Sequence, residues 1–161
     1  IIELAMLAVD VQGRDGLRVS HKWSEGARSY LGIMMAGFPN LFMTTGPNGP
    51  AALANIIRIS ENDVDWIADA MRHMSATGQT AMEPTAEAED GWMNTVAALS
   101  QRSLLNKAKT WYLGANVKDK PQGLSMFTGG FPKYREYCAL ATRDGYRAHF
   151  TFDPVKGSVP A

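Results

Sequence analysis

Cysteine is nearly missing from this sequence, with Cys138 the single one in 161 residues. That excludes an internal disulfide and fits a reducing, cytoplasmic setting. Cys138 lies in a helix-face pattern, where a free thiol is expected to pack in the core. An excess of either charge is missing as well. Sixteen Lys and Arg offset sixteen Asp and Glu, so no global field recruits nucleic acid or an anionic membrane. Long apolar runs are lacking: Ile1 to Val9 is interrupted by Glu3 and closed by Asp10, too short for a bilayer span and without the basic start of a signal peptide. Phosphate loops are lacking too, since neither Gly-x-Gly-x-x-Gly nor a Lys-bearing loop occurs, and no Gly-x-Ser-x-Gly elbow offers a serine nucleophile. The three histidines, His21, His73 and His149, stand far apart without a second ligand at i+2 to i+4, which argues against a metal site.

What is present reads as an α/β chain of one ordinary domain's length. That is short for an enzyme carrying two dinucleotides, and the first residue is not methionine, so the sequence is expected to be part of something longer. Ile1 to Val9 reads as a strand, and Gly13-Arg14-Asp15-Gly16 as a turn with positive φ, making the first twenty residues a hairpin. Leu41 to Thr45, short, apolar and without alternation, predicts a central strand. Ser60-Glu61-Asn62-Asp63 offers an N-cap for a helix whose apolar positions are Val64, Ile67, Ala68 and Met71, ending near Gly78. A second helix follows Pro84-Thr85 and runs to about Leu105, with Trp92, Val96 and Leu99 on one face. The carboxylates Glu87, Glu89 and Asp90 sit in its first turn, where dipole and solvation explain them better than acid and base roles do. Residues 108 to 117 read as extended or irregular chain, and 117 to 123 as a surface connection. A third helix begins near Pro132 with Tyr134, Cys138 and Ala141 sharing a face, and Gly145 stops it. Tyr146, Ala148, Phe150 and Phe152 alternate as in a half-buried strand, and a loose tail starts at Asp153.

The run Gly37-Phe38-Pro39-Asn40-Leu41-Phe42-Met43-Thr44-Thr45-Gly46-Pro47-Asn48-Gly49-Pro50 carries the clearest functional signal. It drives an apolar stretch into a loop stiffened by proline, and its glycines let the backbone approach a flat ligand. Ala51, Ala52, Leu53 and Ile56 then add small or apolar surface. Pattern alone leaves two readings open: a ligand wall at the carboxyl end of a strand, or merely a turn.

This wording resembles the flavin-side strand and loop of flavin-dependent Baeyer–Villiger monooxygenases, where Phe-Pro-Asn-Leu-Phe leads into Gly-Pro-x-x-Pro. The likeness extends from Leu7-Ala8-Val9-Asp10 and Gly13-Arg14-Asp15-Gly16 through Tyr30-Leu31-Gly32 and Val64-Asp65-Trp66 to Trp92. It continues through Trp111-Tyr112-Leu113-Gly114-Ala115-Asn116, Gly129-Gly130, Tyr134-Arg135 and Gly145-Tyr146, covering the chain up to Phe152. The Ala51-Ala52 swelling before Leu53 is more similar to the phenylacetone and steroid monooxygenase branch than to typical cyclohexanone enzymes.

The resemblance implies the C-terminal portion of a flavoprotein with two dinucleotide-binding domains, using FAD and NADP(H). Residues 1–58 would supply strands and the flavin-side loop of the FAD-binding domain, 59–106 two of its helices, 107–152 a cofactor-contacting loop, helix and strand, and 153–161 a tail. Gly46, Pro47, Asn48, Asn55 and Ile56 would border the isoalloxazine, and Trp111 would contact the nicotinamide cofactor. Ala51, Ala52 and Leu53 would line a ketone pocket. Met126 falls where the family places another pocket-lining side chain, although methionine fills core gaps equally well. The implied reaction inserts one oxygen atom of O2 beside a ketone carbonyl through a peroxyflavin, giving an ester or lactone. No residue here is expected to act as catalytic acid, base or nucleophile. The family's glycine-rich fingerprints, its His-containing signature and the arginine that stabilises the flavin peroxide would come from a separate N-terminal portion. Ile1-Ile2-Glu3-Leu4 departs from the family's wording at that join. An N- or S-oxidising flavin monooxygenase and a non-catalytic α/β module that binds a small ligand are the competing readings.

Overall fold

The computed structural model describes residues 6–9, 11–50, 55–101 and 126–154. After a 3-10 turn at Arg14–Gly16 come helix α1 (Val19–Lys22), helix α2 (Ile56–Ala76), strand β1 (Gln79–Pro84), helix α3 (Ala86–Gln101), helix α4 (Phe131–Thr142) and strand β2 (Phe150–Pro154). The two strands pair antiparallel, with Met82 opposite Phe152 and Pro84 opposite Phe150. The chain is thus a mixed helix-and-sheet fold. None of the described helices is long and apolar enough to cross a membrane.

Two apolar cores form. The larger one gathers Trp66, Trp92, Phe127, Tyr134, Tyr146 and Phe150 between α2, α3, α4 and β2. The smaller one packs Val19, Trp23, Phe38 and Met43 beneath the N-terminal turns. Aromatic rings set the geometry of the first: Trp92 stacks on Phe127 with centroids 5.1 Å apart, and Trp66 meets Tyr146 edge to face at 5.4 Å. Such pairs add to the burial of large apolar surface.

Several elements differ from the sequence reading. Met6 to Ala8 are helical, and the expected hairpin reduces to its turn, with one antiparallel bridge between Gln12 and Arg18. The turn itself has the anticipated positive φ at Asp15 and Gly16. Leu41 to Thr45 is not a strand, because left-handed residues flank it: Asn40 at φ 59° and Thr45 at φ 51°. Asn40 instead imitates a strand partner for β1, its backbone N–H donating to the Met82 carbonyl and its side chain bonding Thr80 and Met82. Strand β1 was not foreseen. β2 starts only at Phe150, since Tyr146 adopts φ 66° and residues 143–149 are turns.

Helix α2 begins one turn earlier than Ser60, capped by the Asn55 side chain, which accepts from the N–H groups of Ile57 and Arg58. The division at residue 58 therefore falls inside α2. Its inward face is Ile59, Asp63, Trp66, Ala70 and Met74. Val64 and Met71, read as core positions, are 52% and 57% exposed. Helix α4 matches expectation, with Pro132 in its first turn and Tyr134, Cys138 and Ala141 buried. Trp66 ties α2 to α4 by donating from Nε1 to the Cys138 carbonyl.

Glu89 departs from the solvated reading. It is 1% exposed, and its carboxylate accepts from Lys22 Nζ at 2.7 Å, Arg28 Nε at 3.3 Å and the Ala36 backbone N–H at 2.8 Å. Asp90 pairs with the other end of Arg28. This junction fixes α3 to the segment that leads into Gly37.

Candidate functional site

The Gly46–Pro50 loop is pressed against Ser29–Gly32, backbone on backbone. Gly46 donates its N–H to the Gly32 carbonyl at 3.1 Å, and the Phe127 N–H reaches the Gly49 carbonyl at 2.9 Å. A Cβ on Gly46 would stand 2.3 Å from the Gly32 oxygen, and one on Gly32 would stand 2.8 Å from Gly49 Cα. Gly32 also has φ +74°. Glycine is thus required for the two loops to touch, more than for an approach to a ligand. Ser29, fully buried, locks the contact: its hydroxyl donates to the Pro47 carbonyl at 2.6 Å, lies 3.2 Å from Asn48 Oδ1 and accepts the Gly32 N–H at 3.1 Å. Asn48, at φ 66° and 1% exposed, is held inside the loop.

The expected site residues fall into three groups. Gly46, Pro47 and Asn48 form the rigid turn just described. Asn55 and Ile56 open α2, where Ile56 and Ile57 present apolar side chains 56% and 65% exposed. Met126 is buried beside Phe127, which bonds Gly49. Ala51, Ala52, Leu53 and Trp111 lie outside the described residues.

Behind the loop pair sits an arrangement that sequence reasoning missed. Asp63, 1% exposed, accepts the Thr45 N–H on Oδ2 at 2.9 Å. Its Oδ1 is 2.7 Å from the Tyr134 hydroxyl oxygen, which is itself 2.9 Å from the Leu31 carbonyl. Burial raises the Asp63 pKa above the ordinary carboxyl range, against the opposing pull of its bonds from Thr45, Tyr134 and Asn62. Tyr134 is pushed well above its usual value, chiefly by burial, and burial pushes the Cys138 thiol up to about 12. An acidic residue in a helix interior was the available signal, but its partner Tyr134 is 71 residues away.

A separate apolar cleft of about 410 Å³ is lined by Tyr30, Leu31, Trp92, Tyr137, Leu140 and His149 among others. None of the expected site residues that are described borders it. Among the described residues no cluster of His, Cys, Asp or Glu could hold a metal ion.

No family model matches the chain. It is 38% identical over 144 residues to the acetone monooxygenase (methyl acetate-forming) of Gordonia sp., a match covering 89% of this chain and 27% of that protein. It is 37% identical to a Baeyer–Villiger monooxygenase of Pseudooceanicola batsensis, over 86% of this chain and 25% of the relative. Cyclohexanone monooxygenase from Rhodococcus sp. Phi1, solved bound to NADP+, superposes with a TM-score of 0.87 at 33% identity, covering 96% of this chain and 28% of its own. The chain spans about a quarter of the length of the curated relatives it matches. Sequence and fold agree along nearly all of it, so the chain is homologous to a segment of the Baeyer–Villiger monooxygenases.

Proposed function

We propose that the chain is the C-terminal portion of an FAD- and NADPH-dependent Baeyer–Villiger monooxygenase, which inserts one oxygen atom of O2 beside a ketone carbonyl and yields an ester or lactone. The observation that carries this reading is the rigid loop pair within a fold homologous to those enzymes. Gly46 to Pro50 is locked from behind by Ser29 and Gly32, and the exposed apolar start of α2 stands close by in sequence. That surface suits one edge of an apolar planar ring. The sequence offers no glycine-rich phosphate loop, so the dinucleotide phosphates fall to the N-terminal portion, the partner this segment requires.

Bound FAD and NADPH would supply the redox and oxygen-activating chemistry. The chain's own residues position and shield. Gly46, Pro47, Asn55 and Ile56 border the ring, and Asn48 acts by fixing the loop's shape. Ala51, Ala52, Leu53 and Met126 would line the ketone pocket, and Trp111 would meet the nicotinamide cofactor. With these roles the chain would divide into residues 1–58, 59–106, 107–152 and 153–161.

The test is product analysis on the purified full-length enzyme with NADPH and 18O2, offering ketone, amine and sulfide substrates in parallel. A yellow protein that turns a ketone into an ester carrying one labelled oxygen is expected. Exclusive N- or S-oxidation, or a colourless protein that retains no flavin, would refute the proposal.

A further inference from the structure

The contacts behind the loop pair impose a proton count. Tyr134 has one hydroxyl proton, yet its oxygen lies within hydrogen-bond distance of two acceptors, Asp63 Oδ1 and the Leu31 carbonyl. If Asp63 were ionised, the phenol proton would serve one of them. The other would face a bare oxygen lone pair at under 3 Å, among residues that are all buried. A proton on Asp63 removes the conflict: the acid O–H donates to Tyr134, Tyr134 donates to the Leu31 carbonyl, and Thr45 N–H donates to the second acid oxygen. Every group is then satisfied, as buried polar groups require. Facing Asp63 are the Thr45 N–H from the loop, the Tyr134 phenol and neighbouring Cys138 thiol from α4, and Asn62 from its own helix. The described residues form no ion pair with it.

The two backbone groups that this arrangement grips are the strained ones. Thr45 has φ 51° and Leu31 has φ 59°, unfavourable for any residue with a Cβ and more so for a β-branched one. Each immediately precedes a glycine of the loop contact, Gly46 and Gly32. Such conformations persist only where the surroundings over-determine them.

We propose that Asp63 is kept as a neutral carboxylic acid and, with Tyr134, acts as a positioning clamp that holds both arms of the flavin-side loop in place. The positioning role rests on the proposed function; the protonation state does not.

Infrared spectroscopy of the full-length holoenzyme at neutral pH tests the protonation. A protonated-carboxyl C=O band that disappears in Asp63→Asn is expected; its absence, or its persistence in the variant, overturns the proposal. The flavin spectrum and the peroxide released per NADPH consumed test the positioning. Asp63→Asn keeps one donor and one acceptor and retains the wild-type spectrum and coupling. Asp63→Leu shifts the spectrum and raises peroxide release about tenfold or more, the scale of small misplacements near a reacting group. If Asp63→Leu does not fold, Tyr134→Phe gives the same readout. Equal disruption by Asp63→Asn and Asp63→Leu, or none by Tyr134→Phe, overturns the clamp. A wild-type protein without flavin would refute the proposed function alone, and the infrared band would still decide the state of Asp63.

Discussion

Asp63 and Glu89 are both 1% exposed acidic residues on helices, yet their surroundings are opposite. Glu89 faces two cations, Lys22 and Arg28, and a backbone N–H. Asp63 faces a phenol, a thiol, an amide and one N–H, with no cation paired to it among the described residues. The first environment compensates a charge, and the second is built for a neutral acid. Burial of an acidic side chain therefore does not by itself fix its protonation state; the donors and charges around it do. The two sites also serve different joints. Glu89 anchors α3 to the approach of the motif at Ala36, whereas Asp63 holds the motif's interior at Thr45.

The contrast can be broken most forcefully at Glu89. Glu89→Ala removes the acceptor shared by Lys22, Arg28 and the Ala36 N–H, and leaves Arg28 its pairing with Asp90. Removing one partner of a buried pair costs about 3–5 kcal/mol. Arg28 is partly exposed and regains water, so a loss near the lower end, about 3 kcal/mol, is expected in urea unfolding. A loss below about 1 kcal/mol, the scale of exposed ion pairs, would show that the junction behaves as a surface pair.

A smaller effect is expected at the loop contact. In Gly46→Ala the new methyl meets the Gly32 carbonyl, a backbone atom that cannot swing aside. Overpacking of this kind costs about 1–3 kcal/mol. The same variant should weaken flavin retention, measured as the fraction of cofactor lost on dilution. Unchanged stability would show that the two loops can part without cost.

Much of this was legible in the sequence, and the failures share a cause. Helix α4 was readable because Pro132, Tyr134, Cys138 and Ala141 act locally. The motif's wording located the loop, and Asp15-Gly16 announced a positive-φ turn. The inward face of α2 was misread because one of its positions is the acidic Asp63, while apolar Val64 and Met71 point outward; only Tyr134 and Thr45, distant in sequence, make Asp63 a core residue. Glu89 was misread for the same reason, its cations lying more than sixty residues upstream. The supposed strand at Leu41–Thr45 fails on backbone angles at Asn40 and Thr45 that side-chain pattern does not encode. β1, polar on its exposed positions and ending in proline, offered too little alternation to compete.

The smallest expected effect is the most discriminating. Below the ordinary carboxyl pKa, where Asp63 is protonated in the folded and the unfolded chain alike, Asp63→Asn should change stability by less than about 1 kcal/mol, because the amide replaces the acid O–H as donor and keeps an acceptor for Thr45. Its consequence lies in the pH dependence. Burial raises the folded-state pKa of Asp63 above the unfolded value of about 3.9, so the folded state holds a proton that the unfolded chain releases. Stability contributed by Asp63 is therefore complete below the ordinary carboxyl pKa and is lost as pH rises through the folded value. Urea midpoints measured from acid to neutral pH should decline more steeply in the wild type than in Asp63→Asn, which has no such proton to hold. A wild-type stability that instead gains on the variant as pH rises would mean that Asp63 is favoured as a carboxylate, and would erase the distinction between the two sites.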